Sequence, residues 1–182
     1  MLGLLQLPHD GTSTVDDVDL IVAVIGRGAA PSDEADAATE RLLSLAAVRD
    51  RDPVAVVSVL YQAFDATAAL LATELHARCV AATPVPAVPR TRRVASGRAT
   101  ITGAAITPGT TVTLEIGAAD LPFGAGPHRC PAEQLARRIV DGIIGAIVDS
   151  GHRVDPESIV TDADGRATRL VMRRDDRVQP PS

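Results

Sequence analysis

Leu121-Pro122-Phe123-Gly124-Ala125-Gly126-Pro127-His128-Arg129-Cys130-Pro131-Ala132 is the most informative stretch of this chain. Its two glycines allow a tight turn that brings the backbone close to a flat ligand. Cys130 stands just before Pro131, at the head of a segment with helical spacing. The unpaired N–H groups and the positive dipole end of a helix favour an anion there, and the thiolate is the reactive form of cysteine. A thiolate so placed can act as a nucleophile, a zinc ligand or the axial ligand of a heme iron. His128 and Arg129 add donors or positive charge beside it, suited to an acidic ligand group.

Working outward, Pro131 to about Ser150 reads as a helix with Leu135, Ile139, Ile143 and Ile147 on one stripe and Gly151 as its stop. Beyond it, strands near Ser158–Thr161 and Thr168–Arg173 flank the turn signal Asp162-Ala163-Asp164-Gly165. The charges from Arg173 to Arg177 read as a solvated tail, and Gln179–Ser182 as a fraying end. Upstream lie short strands at Thr100–Thr102 and Ala105–Thr107. After the Pro108-Gly109 turn, Thr110–Ile116 alternates like a half-buried strand. Pro84, Pro86 and Pro89 impose an extended path before them.

The first half is helical. Asp52 is a good N-cap and Pro53 suits the first helical position, so a helix runs from there to about Ala77. Apolar residues on nearly all its faces predict a central place in the domain, and Glu74 with Arg78 predicts a helical ion pair. Ser32 or Asp33 caps an earlier helix to about Val48, with Ala35, Ala38, Leu42, Leu45 and Ala46 inward. Val15–Ile25 forms a first helix ended by Gly26-Arg27-Gly28. The fold class is mainly α with a small β region. A single domain over 1–182 divides into N-terminal helices (1–52), a long helix (53–78), a small β region (84–117), the cysteine loop with its helix (121–150) and a C-terminal hairpin (151–178).

Composition narrows the function classes. Of 182 residues 46% are hydrophobic, which excludes wholesale disorder, but the chain has one Tyr, two Phe and no Trp. Its core must be built from Ala, Val, Leu and Ile. A net charge of −5 argues against a nucleic-acid partner, since phosphate binding needs a basic face. Cys79 and Cys130 are too few for a disulfide framework, and Cys79 alone reads as a small core residue. The run Met1–Leu5 lacks a basic leader, and Asp65 interrupts the apolar stretch Val54–Leu75. The expectation is a cytoplasmic protein with no membrane and no nucleic-acid partner.

The loop resembles the heme-binding segment of the cytochrome P450 family, Phe-Gly-x-Gly-x-His-x-Cys-x-Gly. It matches at Phe123, Gly124, Gly126, His128 and Cys130, and departs at Ala132, where the family has Gly. The helix from Pro131 resembles the one after the family's proximal cysteine. The helix from Pro53 resembles the long helix across the distal face of the heme, where Ala63-Phe64-Asp65-Ala66-Thr67 stands for Ala/Gly-Gly-x-Asp/Glu-Thr. The resemblance implies a partial cytochrome P450-like fold that holds heme b, with Cys130 as axial ligand of the iron. Phe123, Gly124 and Gly126 would shape the loop, and His128 with Arg90 or Arg92 would bind the propionates. It implies a catalytic, proton-handling role for Thr67 and Asp65 in O₂-dependent monooxygenation of a small apolar substrate, with electrons from a ferredoxin-type redox partner.

Three absences qualify this reading. No Glu-x-x-Arg pair precedes Pro84, the irregular segment before the cysteine loop is missing, and the N-terminal half of a complete member has no counterpart. The chain reads as a shortened relative. The alternatives are a non-catalytic remnant that serves as a heme-binding or partner-stabilising module, and one half of a split enzyme whose fold a protein partner completes.

Overall fold

Local sequence signals set most of the helix starts in the computed structural model, which describes residues 12–47 and 52–175. The expectations for Met1–Leu5, the end of the second helix at Val48 and the terminal residues from Asp176 fall outside the described residues. The chain forms two compact units, Met1–Ala68 and Ala69–Ser182.

In the first unit, α1 spans Thr12–Ile21 and α2 spans Asp33–Ala46. The helix expected to continue to Ile25 changes character at Val22, where Val22–Gly26 forms one π turn. The wider turn carries Arg27 N–H to the Val22 carbonyl at 3.1 Å. Helix α2 begins as its cap predicts, with Ser32 extended at φ −144° and its Oγ accepting from Ala35 N–H at 3.2 Å. Asp33, Glu34 and Asp36 in the first turn suit the positive end of the dipole. Ala35, Ala38, Leu42 and Ala46 are its buried stripe. Asp17 of α1 fastens the two helices, accepting from Arg41 Nη2 at 2.5 Å and Nε at 3.0 Å.

Helix α3 spans Pro53–Val80, and Asp52 Oδ1 accepts from Val54 N–H at 3.0 Å. Its Val56 and Leu60 join Val18, Ile21, Val22, Leu42 and Ala46 in the first core. Tyr61 and Phe64, two of the three aromatic residues, pack at that core's margin. The central burial expected of α3 is not what is observed. Its most apolar stretch has a mean hydropathy of 1.7, long and apolar enough by length and composition to cross a membrane, yet only 11% of it is buried. Each small core takes up a few α3 positions, and much of the remainder is half-buried or exposed, with Val54 61% and Val59 47% exposed.

The second unit contains Leu75, Val140, Ile144 and Val154 as its core, with Cys79, Ile147, Ile159 and Met172 packed around them. Cys79 is half-buried there, close to its expected role. Its strands form nested antiparallel hairpins. β1 (Thr91–Val94) pairs with β4 (Thr111–Leu114) and encloses β2 (Ala99–Ile101) and β3 (Ala104–Ile106). The inner turn puts Thr102 at φ 49° and Gly103 at φ 83°, the left-handed pair that a two-residue hairpin needs. The half-buried alternation expected along β4 is weak: Leu114 is 39% exposed, because a two-stranded sheet has no third layer to cover that face.

Helix α4 spans Glu133–Asp149, and Gly151 at φ 71° ends it as expected. Its buried residues are Val140 and Ile144, one position on from the predicted stripe, with Ile143 39% and Leu135 37% exposed. A step of about 100° around the helix separates the two faces. Val140 and Ile144 meet Leu75 and Val154, and that contact chose the face. The C-terminal hairpin is also larger than predicted. β5 (His152–Val154) pairs with β8 (Met172–Arg174) around β6 (Val160–Thr161) and β7 (Ala167–Arg169). Arg173 therefore belongs to a strand, and its guanidinium pairs with Asp155 at 2.5 Å. Arg78 likewise pairs with Asp141 of α4 at 3.7 Å, not with Glu74.

Candidate functional site

The cysteine loop is built by short-range backbone bonds. Leu121 N–H donates to Ile116 C=O at 2.9 Å, which ties the loop to the end of the β-hairpin. Gly124 N–H then donates to Leu121 C=O at 2.8 Å, and Gly126–His128 forms one 3₁₀ turn. Cys130 N–H closes the loop on Phe123 C=O at 2.8 Å. Gly124 sits at φ 73°, and a Cβ there would lie 3.3 Å from the His128 carbonyl oxygen. Both features favour glycine at this position.

Cys130 is a free, half-buried thiol. It does not adjoin the first helical residue, as expected of Pro131. Residues 131 and 132 form a turn, Ala132 is the N-cap, and α4 begins at Glu133. His128 and Arg129 are exposed. Arg129 donates to Glu133 Oε2 through Nε at 3.1 Å and Nη2 at 2.7 Å, while Arg137 donates to Glu133 Oε1 at 3.3 and 3.2 Å. The Arg137 guanidinium stands over the Phe123 ring, 4.5 Å from its centroid. Arg129 first, and Arg137 with it, hold the Glu133 carboxyl below its ordinary range.

Arg90 precedes β1, and the β1–β4 register, which pairs Thr91 with Leu114, sets it across from Glu115. Its Nε donates to both Glu115 oxygens at 2.9 and 3.0 Å. Its Nη1 and Nη2 donate to Asp164 at 2.9 and 3.0 Å. Asp164, then Glu115, raise the Arg90 pKa. Arg92 lies on β1 opposite Thr113, is exposed, and makes no ion pair among the described residues. Of the two arginines expected at a propionate, Arg92 is the one with an unengaged guanidinium.

Asp65 and Thr67 lie on α3 in the first unit, both half-buried. Asp65 Oδ1 accepts from Arg27 Nη2 at 3.1 Å, and Arg27 Nη1 also donates to Asp19 at 3.1 Å. Burial of Arg27 works against its charge, but Asp65 and Asp19 outweigh it and raise its pKa. The Arg27 contact was not anticipated, because the residues are distant in sequence. The signal that locates the Arg129–Glu133–Arg137 pairs in the sequence is their spacing, two i,i+4 steps.

The donor chemistry of the loop fits a heme. No group of three or more His, Cys, Asp or Glu able to hold a metal ion occurs among the described residues. Among the described residues Cys130 stands as a single thiolate donor, the kind of ligand that a heme takes from a protein. It suits a metal that arrives with its other ligands already in a macrocycle.

No protein-family model matches the chain, and no curated protein matches it. Solved structures do. The chain is similar to the crystal structure of CalO2, at 17% identity and a TM-score of 0.66, with 94% of this chain and 62% of that one covered. It is similar to a thermophilic cytochrome P450 from Sulfolobus tokodaii, at 16% identity, TM-score 0.59, with coverage of 94% and 64%. It is also similar to the LnmA cytochrome P450 hydroxylase of Streptomyces atroolivaceus, at 17% identity, TM-score 0.55, again with coverage of 94% and 64%. The chain thus has a cytochrome P450-like fold and spans just under two thirds of the length of these structures.

Proposed function

We propose that this chain is a heme-thiolate protein of the cytochrome P450 type, with Cys130 as axial ligand of the iron of heme b. The observation that carries the reading is the Cys130 loop. A free thiol stands at the end of a Gly-shaped turn, its amide bonded to Phe123, on a cytochrome P450-like fold. When bound, the heme supplies O₂ activation and oxygen insertion. The net reaction would place one atom of O₂ in a small apolar substrate and release the other as water, taking two electrons from a ferredoxin-type partner and two protons.

This chain's residues bind and orient. Cys130 would hold the heme iron through its thiolate sulfur. Arg92 and His128, exposed and cationic or donor-bearing, hold the propionates, while Arg90 is taken up by Glu115 and Asp164. By the resemblance, Thr67 would handle a proton with its hydroxyl. Asp65 is the weaker candidate for proton transfer, since its Oδ1 already accepts from Arg27 Nη2 at 3.1 Å. That pairing favours a second reading, a heme-binding module without turnover.

The test is hemin titration of the purified chain, followed by the ferrous carbon-monoxide spectrum, with and without Cys130→Ser. A thiolate-type Soret band that the substitution abolishes is expected, and no hemin uptake by the unsubstituted chain overturns the proposal. Product formation driven by NAD(P)H with a surrogate ferredoxin and reductase then separates the two readings. Loaded protein with no turnover across several apolar substrates selects the second.

A further inference from the structure

Both ends of the cysteine loop are held by one carboxylate. Phe123, whose carbonyl receives the Cys130 amide, lies under the Arg137 guanidinium at 4.5 Å. Arg129, the residue before Cys130, is bonded to Glu133 at 2.7 Å. Glu133 joins the two halves, since Oε2 takes Arg129 and Oε1 takes Arg137. The connection is a closed circuit: Phe123, Arg137, Glu133, Arg129, Cys130 and back to Phe123. The Glu133 side chain is only 19% exposed, against 65% for Arg129 and 49% for Arg137, so it is the enclosed hub.

We infer that Glu133 and Arg137 are positioning residues for Cys130, a latch that holds its loop against the first two turns of α4. As a device for presenting a thiolate to heme iron, this rests on the reading above. Pro131 already restricts the Cys130 backbone to extended conformations, and the Phe123 carbonyl restrains its amide. What remains free is the tilt of the whole loop relative to α4. The ring contact acts on that tilt at one end and the Arg129 pair at the other. Solvent-screened i,i+4 ion pairs contribute little to global stability. Their removal should therefore release the loop without unfolding the chain.

The experiment compares Glu133→Ala and Arg137→Ala in the full chain without hemin. Iodoacetamide labelling of Cys130 is followed at neutral pH by peptide mass spectrometry, with Cys79 as internal reference. Charge alone predicts opposite effects, because loss of Glu133 favours the thiolate and loss of Arg137 disfavours it. A latch predicts the same effect, with Cys130 labelled at least about threefold faster in both variants and Cys79 unchanged, as expected for local opening. Arg137→Lys, which keeps a cation over the ring, restores the slow rate.

Opposite directions, or unchanged rates, overturn the latch. Thermal melts verify folding, and should Glu133→Ala fail to fold, Arg137→Ala decides alone: faster supports the latch, slower or unchanged overturns it. In hemin-loaded protein the thiolate-type fraction of the carbon-monoxide spectrum should fall in both variants. If the unsubstituted chain takes up no hemin, the heme reading fails, and the labelling rates still decide the latch.

Discussion

Arg27 Nη2 lies 3.1 Å from Asp65 Oδ1, 38 positions further along the chain. The same guanidinium reaches Asp19 at 3.1 Å, so a residue just past the π turn bridges α1 to the middle of α3. Its partner is one of the two residues assigned to proton handling. The pair offers a way to separate a structural carboxylate from a chemical one.

Arg27→Ala should cost less than about 1 kcal/mol, because both side chains are half-exposed and screened by solvent. Asp65→Asn should cost a similar amount, and the double variant should show a small positive coupling. Urea midpoints measure all three. A loss above about 2 kcal/mol would show that the bridge is more than a surface ion pair.

The buried face of α4 can be checked with neighbouring isoleucines. Ile144→Ala, at 4% exposure, should destabilise by about 2–5 kcal/mol. Ile143→Ala, at 39% exposure, should lose less than half as much. Equal losses would contradict the orientation described above.

Gly124→Ala places a side chain at φ 73°, where the left-handed backbone costs about 1–2 kcal/mol, and adds a 3.3 Å contact with the His128 carbonyl. Gly126→Ala meets a similar backbone cost at φ 60° but open space. Gly124→Ala should therefore lower the melting temperature more and weaken hemin uptake more. The difference between the two variants measures the contact itself.

Arg92→Gln should weaken hemin binding by up to about tenfold, the equivalent of one charge-assisted hydrogen bond to a propionate. Arg90→Gln should leave hemin affinity nearly unchanged and loosen the link between Glu115 and Asp164. Fluorescence or absorbance titration distinguishes them. A larger loss in Arg90→Gln would show that its carboxylate partners yield to the ligand.

The Glu133 carboxyl, held down by Arg129 and Arg137, should titrate below the free value of about 4.3. A depressed folded pKa means that the contribution to stability is complete above the unfolded value and is lost as pH falls through the folded one. The side-chain carbon resonance of Glu133 should therefore stay constant from neutral pH down to that range. Its midpoint should move upward in Arg129→Ala. A midpoint at the free value in the unsubstituted chain would show that the two arginines do not act on it.

Much of the architecture is legible in the sequence. Ser32 and Asp52 cap α2 and α3 through their own neighbours, and Gly151 stops α4 by adopting a left-handed turn. The Cys130 loop was recognised from its spacing, and its closure on Phe123 is a contact between residues seven apart. Less legible were β5 and β8, short strands whose pairing of Val154 with Met172 spans the whole inner hairpin. The sequence leaves the buried stripe of α4 ambiguous by one residue, because Ile139 and Ile143 are as apolar as Val140 and Ile144.

The amino-acid sequence by itself determined those features that neighbouring residues control: the helix caps, the Thr102-Gly103 turn and the glycine conformations. Tertiary structure alone decided which face of α4 is buried, that Arg90 is occupied by Glu115 and Asp164, and that Asp65 answers to Arg27. The reason is the range of the interactions. Caps and turns are settled by hydrogen bonds within a few residues, whereas burial and charge pairing depend on distance in space.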